Sequence, residues 1–393
     1  MQTESKPSLT ERFRQLRETR FGSFVPVLLA LVAIWLWFGI TEPAFLSPRN
    51  FYFLFMQSAV VGTLAVGITI VLLLGDIDLS AAATAGVCAA LMAVLIVAGV
   101  PGVPAALIAI ALGIVMGLCQ GLLVSYIGIP SFVVTLAGLL GFQGLMLKIL
   151  GIQGAINMRD PVIRGITTVS LPPFVGWVVG VVCVIAFIAV VLRRQRLRRA
   201  QALELESATA LVGQILFFAV LVLGTVAMLN SYRGVPVLVV LLLSLTALLG
   251  WITTSTPFGR ALFAVGGNAE SARRVGINVK QIRVAAFAIV GMMAAIGGIV
   301  GASRYASVSF NAFAGGPLLL EAIGAAVIGG TSLFGGRGSV WNAILGALVI
   351  GSLGNGLDLS GASAADKLMF SGAILLLAVA IDAISRSGAS QSS

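Results

Sequence analysis

Histidine is absent from the 393 residues, cysteine occurs three times, and charged residues make up only 10% of the chain. Without imidazole there is no histidine acid–base chemistry, no Ser-His or Cys-His nucleophile pair, and the commonest metal ligand is missing. Cys88, Cys119 and Cys183 all lie in apolar runs, so a disulfide-stapled secreted scaffold is excluded. A soluble domain is about 25% charged and about 45–50% apolar. This chain is 59% hydrophobic with a mean hydropathy of +1.09. So few charges cannot cover a water-exposed surface, and so much apolar residue excludes intrinsic disorder. What is present instead is a succession of long apolar runs.

A helix needs about 20 apolar residues to cross the hydrocarbon layer. Candidate spans fall near 24–40, 52–74, 81–99, 104–125, 131–150, 174–192, 211–229, 235–252, 284–302, 318–330, 340–356 and 367–384. The expected fold is therefore all-α, a polytopic integral membrane protein of about 12 transmembrane helices. Three segments are irregular. Segment 318–330 is short, 340–356 carries Gly346, Gly351, Gly354 and Gly356, and 52–74 runs straight into two acids. Interrupted segments of this kind mark discontinuous helices beside a pathway.

Lys and Arg set the orientation. With a cytoplasmic N-terminus and strict alternation, 17 of the 24 basic residues fall inside. They cluster in the N-terminal stretch, in the Arg-rich loop 193–199, and in the loop after the eighth span. Only Arg49, Lys148, Arg159, Arg164, Arg233, Arg304 and Lys367 fall outside. Both termini are then cytoplasmic, and the net charge of +10 calls for no nucleic-acid partner. Leu9, Phe13, Leu16 and Phe21 suggest an amphipathic helix on the lipid surface within residues 1–23. The transmembrane domain follows over 24–384, and 385–393 form a polar tail. Gly113, Gly117 and Gly121 recur every four residues, as do Gly176 with Gly180 and Gly297 with Gly301. Such small-xxx-small faces supply close helix packing in lipid, within one subunit or between two.

Four stretches carry chemistry or punctuation. Gly75-Asp76-Ile77-Asp78-Leu79-Ser80 puts two acids between spans. Asp78 or Ser80 can cap the following helix; alternatively Asp76, Asp78 and Ser80 line a polar path and accept hydrogen bonds from substrate hydroxyls. A magnesium site fails for want of a second acidic cluster, and no cofactor or metal is expected. The polar loop 254–283 contains Asn268 as an N-cap, Glu270 in a positive first turn, Arg273 and Arg274 near the negative end, and Gly276 as a left-handed stop. This spells a helix of about two turns outside the membrane, too short to be stable undocked. In Gly330-Thr-Ser-Leu-Phe-Gly335 the glycine spacing imitates a phosphate loop, but Gly336-Arg337 stands where Gly-Lys-Ser/Thr is required, so ATP binding is excluded. Asn355 and Asp358 cluster at the outer end of a span, as a polar helix terminus or as a substrate contact.

These residues resemble the permease subunits of bacterial ABC importers for monosaccharides, the ribose, xylose, arabinose and galactose group. The resemblance rests on residues 76–80, on Ile129-Pro-Ser-Phe-Val-Val-Thr-Leu-Ala137, and on residues 258–278 with their Gly-Gly-Asn…Gly-Ile-Asn-Val core. It rests also on Val327-Ile-Gly-Gly-Thr-Ser-Leu333 and on residues 372–382. An extra span pair over about 174–229 is similar to the insertion of xylose-type permeases. Ala81-Ala82-Ala83 and Arg274-Val275-Gly276 depart from the usual pattern. The resemblance implies a non-enzymatic, multi-pass subunit of the bacterial inner membrane, working as a pair of copies in lipid. It implies cytoplasmic ATPase subunits docked on loop 254–283, through Asn268, Glu270, Arg273, Arg274, Gly276 and Asn278. It further implies a periplasmic sugar-binding protein and a sugar substrate, expected to be xylose. An ion-coupled secondary transporter using Asp76 and Asp78 is the alternative.

Overall fold

A computed structural model describes residues 25–373 except 203, 204, 206, 315, 316 and 364, together with positions 376 and 380. The amphipathic segment expected before residue 24, the polar tail, and half of the span expected over 367–384 lie outside the described residues.

Apolar runs become helices because in hydrocarbon every backbone N–H and C=O must find its partner within the segment. In chain order these are α1 (Val25–Thr41), α2 (Pro48–Leu73), α3 (Ala81–Val97), α4 (Gly102–Leu122), α5 (Ser131–Leu150) and the short α6 (Pro161–Thr168). Then come α7 (Pro173–Ala200), α8 (Ala208–Asn230), α9 (Val237–Ser255), α10 (Pro257–Gly267), α11 (Ala269–Arg274) and α12 (Val279–Tyr305). The series ends with α13 (Phe310–Phe313), α14 (Leu318–Ile328) and α15 (Val340–Leu359). Among the described residues nine helical stretches are long and apolar enough to cross a membrane, counting Phe310–Ile328 as one. Helices α1 and α3 are apolar but have 17 residues each. The segment expected over 318–330 is an 11-residue helix, ended by Gly329 and Gly330.

Several starts are written in the sequence. Ser47 accepts from the Asn50 amide with Pro48 at the first helical position, and Asp160 accepts from the amides of Val162 and Ile163 ahead of α6.

Contacts between the helix ends sort them onto two faces. On one face, β1 (Ala155–Asn157) pairs antiparallel with β2 (Ser307–Ser309), in the register Ala155↔Ser309 and Asn157↔Ser307. Asp160 accepts the Gly102 amide at 3.1 Å, Asn230 donates to the Pro173 carbonyl, and the side-chain amides of Asn50 and Asn355 bond reciprocally at 2.7 and 3.0 Å. On the other face, the Gly336 amide donates to the Leu73 carbonyl, Ser131 Oγ accepts the Ile77 amide, and Asp76 meets Arg283. Each helix from α2 to α5, and α12 and α15, therefore starts on one face and ends on the other.

Helix α2 is buried along nearly its whole length at the centre, against α9, α12, α14 and α15. The most extensive helix–helix contact is α4 on α12. A methyl added at Gly113, Gly117 or Gly121 would strike backbone or Cβ atoms of Gly291, Phe287, Val284 and Ala295. The every-fourth-residue glycines thus serve packing within one subunit, as do Gly176 and Gly180 against Asn230, Val235 and Val226. Helices α7 and α8 lie at the periphery, mostly exposed and joined by the stacked rings of Phe187 and Phe218, 4.1 Å apart.

Gly117→Ala is expected to lower the unfolding temperature in detergent, through an overpacking cost of about 1–3 kcal/mol. Gly141→Ala, with open space around it, should leave that temperature unchanged. Equal shifts in thermal scans would contradict the backbone-contact reading.

Candidate functional site

The polar loop of the sequence folds as a compact two-helix hairpin. Thr256 caps α10 by accepting the Gly259 amide, and Leu262 and Val265 anchor that helix in the core. Asn268 Oδ1 then accepts the Ser271 amide at 2.9 Å and opens α11, six residues long. The helix stops as its sequence dictates. Gly276 takes φ 87°, its amide donates to the Arg273 carbonyl at 3.0 Å, and the Ile277 amide donates to Ala272 at 3.1 Å. Asn278 caps α12 by accepting the Gln281 amide.

Only Ala272 of α11 is buried. Glu270 is paired with Arg273 at 3.3 Å and with Arg274 at 3.6 Å, and all three side chains are more than half exposed. Exposed surface pairs of this kind contribute about 0–1 kcal/mol. Beside them Val275 is 77% exposed, an apolar knob next to two guanidinium groups. A helix so weakly held by its own chain presents a surface for another.

This hairpin sits against two other irregular segments. Glycines 75, 266 and 335 meet backbone to backbone; a Cβ on Gly266 would collide with the Leu73 carbonyl, and one on Gly335 with Gly75 and Gly266. The glycine-rich stretch 329–339 is accordingly a tight turn between α14 and α15, with the Ser332 amide bonded to the Arg337 carbonyl at 3.0 Å.

Within the acidic turn, Asp78 is buried. Its Oδ1 accepts from both the amide and the hydroxyl of Ser80 at 2.7 Å, and Gln120 Nε2 donates to Ser80 Oγ at 2.7 Å. The arrangement closes the turn ahead of α3, and Ser80, at the N-cap position, makes no side-chain hydrogen bond to the first turn of that helix. Asp76 lies 2.6 Å from Arg283 Nε, an ion pair rather than an aligned hydrogen bond. At the opposite face, Asn355 is locked to Asn50 and exposed Asp358 pairs with Lys367. The five residues considered for a path thus form two groups at opposite ends of the molecule, each with a partner of its own. The residues expected to meet an ATPase, 268–278, are by contrast contiguous in sequence and mostly exposed.

Sequence reasoning misses Arg283, Gln120 and Glu321. The first two reveal themselves only through partners distant in sequence. The Glu321 side chain, in the first turn of α14, makes no hydrogen bond or ion pair among the described residues, while its backbone amide donates to the Pro317 carbonyl. A lone acid inside the apolar run 318–328 is the signal that points to it. Among the described residues no group of three or more His, Cys, Asp and Glu side chains converges as a metal site would require.

Asp78→Ala should reduce thermal stability in detergent by about 1–3 kcal/mol, because it strips a buried turn of its acceptor. Asp78→Asn, which keeps one carbonyl oxygen, should cost less. Unchanged stability with lost uptake in the alanine variant would instead put Asp78 on the path.

The family described as branched-chain amino acid transport system / permease component matches residues 50–379. The chain is 39% identical to the xylose transport system permease protein of Escherichia coli (strain K12), over 95% of both chains. It is 30% identical to the ribose import permease protein of Bacillus subtilis (strain 168), over 92% of both. It is also 30% identical to the autoinducer 2 import system permease protein of Salmonella typhi, over 81% of this chain and 74% of that one. No solved structure matches the chain significantly.

Proposed function

The chain belongs to the branched-chain amino acid transport system / permease component family, and from that premise we propose that it is the membrane-spanning subunit of an ATP-driven sugar importer with D-xylose as cargo. The observation that carries the cargo is the likeness to a xylose permease along 95% of both chains. That match is too nearly complete to leave out the α7–α8 pair. The family description alone would suggest an amino acid, but the similar proteins import xylose, ribose or autoinducer 2, and the degree of identity favours the first.

A permease component does not hydrolyse ATP, and the 330–337 stretch lacks the lysine of a phosphate loop. Energy therefore enters from ATPase subunits. The exposed α11 is the handle proposed for them, with Asn268, Gly276 and Asn278 shaping the helix and Glu270, Arg273 and Arg274 meeting the partner. A second copy of this chain completes the pathway between the two permeases, and a periplasmic sugar-binding protein delivers substrate to the face carrying β1 and β2. In the multi-pass arrangement that follows, twelve segments cross the inner membrane and both termini are cytoplasmic. The alternation of helix ends and the bias of basic residues toward the α10–α11 face support it. The ion-coupled alternative is disfavoured because Asp76 is already charge-matched by Arg283 and both hydrogen bonds from Ser80 converge on Asp78.

Reconstitution decides between them. In proteoliposomes with its ATPase and binding protein, the complex should accumulate labelled xylose only with ATP, and ionophores should not stop it. Uphill uptake by this chain alone on an ion gradient would replace the importer reading.

The double exchange Glu270→Lys with Arg273→Glu swaps the charges at two positions of α11, keeping the attraction between them while setting Lys against Arg274. It should abolish co-purification of the ATPase and reduce uptake to background without loss of membrane insertion. Normal association would remove α11 from the interface.

A further inference from the structure

The geometry points to the Asp76–Arg283 ion pair as the strut that carries movement of the motor-docking hairpin into the transmembrane helices. This inference rests on the importer reading above and adds to it the route by which α11 acts.

Arg283 belongs to the first turns of α12, which follow directly on Asn278, the cap that closes the docking hairpin. A helix is stiff over that distance, so displacement of α11 displaces the Arg283 guanidinium. Its partner Asp76 stands in the turn between α2 and α3. The pair is largely sheltered, with side-chain exposures of 26% for Arg283 and 11% for Asp76. In such surroundings screening by salt and water is weak and the attraction is stiff.

The turn holding Asp76 is bonded to other helices on both sides. Thr135 Oγ1 donates to the Ile77 carbonyl at 3.1 Å, and the Ile77 amide reaches Ser131 Oγ, both of them in α5. Gln120 of α4 donates to Ser80 at the start of α3. Directly before the turn, the Leu73 carbonyl at the end of α2 accepts the Gly336 amide. A pull on Asp76 is therefore shared by α2, α3, α4 and α5, and reaches the turn between α14 and α15. Elsewhere the docking hairpin meets this hub by packing alone, through the buried side chains of Leu262 and Val265 and the glycine backbone at Gly266, contacts without the directional attraction of a charge pair. Lys280, 5.0 Å from the Tyr126 ring centroid, adds a second attachment of α12 to the end of α4. Asp76–Arg283 is thus a positioning pair: neither side chain is asked to touch the sugar.

The test uses the full complex in proteoliposomes, with Asp76→Asn, Arg283→Gln and the two combined. The combined variant removes both charges, so no unpaired buried ion threatens its folding. Wild-type complex should show ATP-dependent xylose uptake; if it does not, the importer reading fails and the strut is not what failed. Given that uptake, the combined variant should keep ATPase stoichiometry and ATP hydrolysis, while sugar moved per ATP falls about tenfold, within the usual range of inter-site coupling. Each single variant should lose at least as much as the combined one, since either removal already breaks the pair. Wild-type sugar per ATP in the combined variant would overturn the inference and leave the pair a structural staple. So would loss of bound ATPase in step with uptake, which would assign the pair to docking. Single-variant losses that multiply in the combined variant would also overturn it, because the two residues would then act separately.

Discussion

The structure depends on backbone touching backbone where α4 crosses α12. In hydrocarbon, apolar side chains gain nothing by leaving lipid for protein, so helices associate through close van der Waals fit and interhelical polar contacts. Gly113, Gly117 and Gly121 supply that fit against Phe287 and Gly291. The consequence extends past packing. Helix α12 begins at the α10–α11 hairpin and ends at β2, so fixing it to α4 fixes both faces of the molecule to one rigid axis. Movement of its first turns has then to be absorbed at the helix ends, where the backbone is irregular.

Irregular backbone is confined to those ends for the same solvent reason. Unpaired N–H and C=O groups are intolerable at membrane depth unless protein satisfies them. The breaks at 74–80 and 329–339 come together with the end of α10: Gly336 donates to the Leu73 carbonyl beside the first break, and Gly266 packs backbone to backbone against both. Three segments far apart in sequence thus depend on one another, and none can shift alone.

How much of this could be read from residues in order follows from the range of each interaction. Local punctuation was legible: Asn268, Gly276 and Asn278 do in space what their spacing says, because caps and left-handed stops are decided within four residues. The glycine triplet was legible as a packing face, though not its partner helix. The apolar runs gave most helices to within a few residues of their ends. Long-range polar pairing was not legible. Asn50 and Asn355 are 305 residues apart, and nothing in either neighbourhood indicates that two amides will satisfy each other. Asp76 and Asp78 stand two residues apart and read alike, yet one closes a turn and the other meets a guanidinium on another helix. Only the fold distinguishes them.

The same distinction bears on selectivity. A permease that held sugar tightly in its own passage would need several inward-facing donors and acceptors with unfilled capacity. Here the polar side chains first considered for that role have partners, and Glu321 is the membrane-segment acid whose side chain is left without a hydrogen bond or ion pair among the described residues. Relatives with names assigning them xylose, ribose and autoinducer 2 share one family architecture, which is economical if the passage discriminates weakly. Tight binding along the route would slow release, because each hydrogen bond made to the cargo must be broken before it leaves. A passage poor in uncommitted polar groups avoids that barrier, since side chains such as Asp78 and Asn355 are already occupied in holding the chain's own turns and helix ends together.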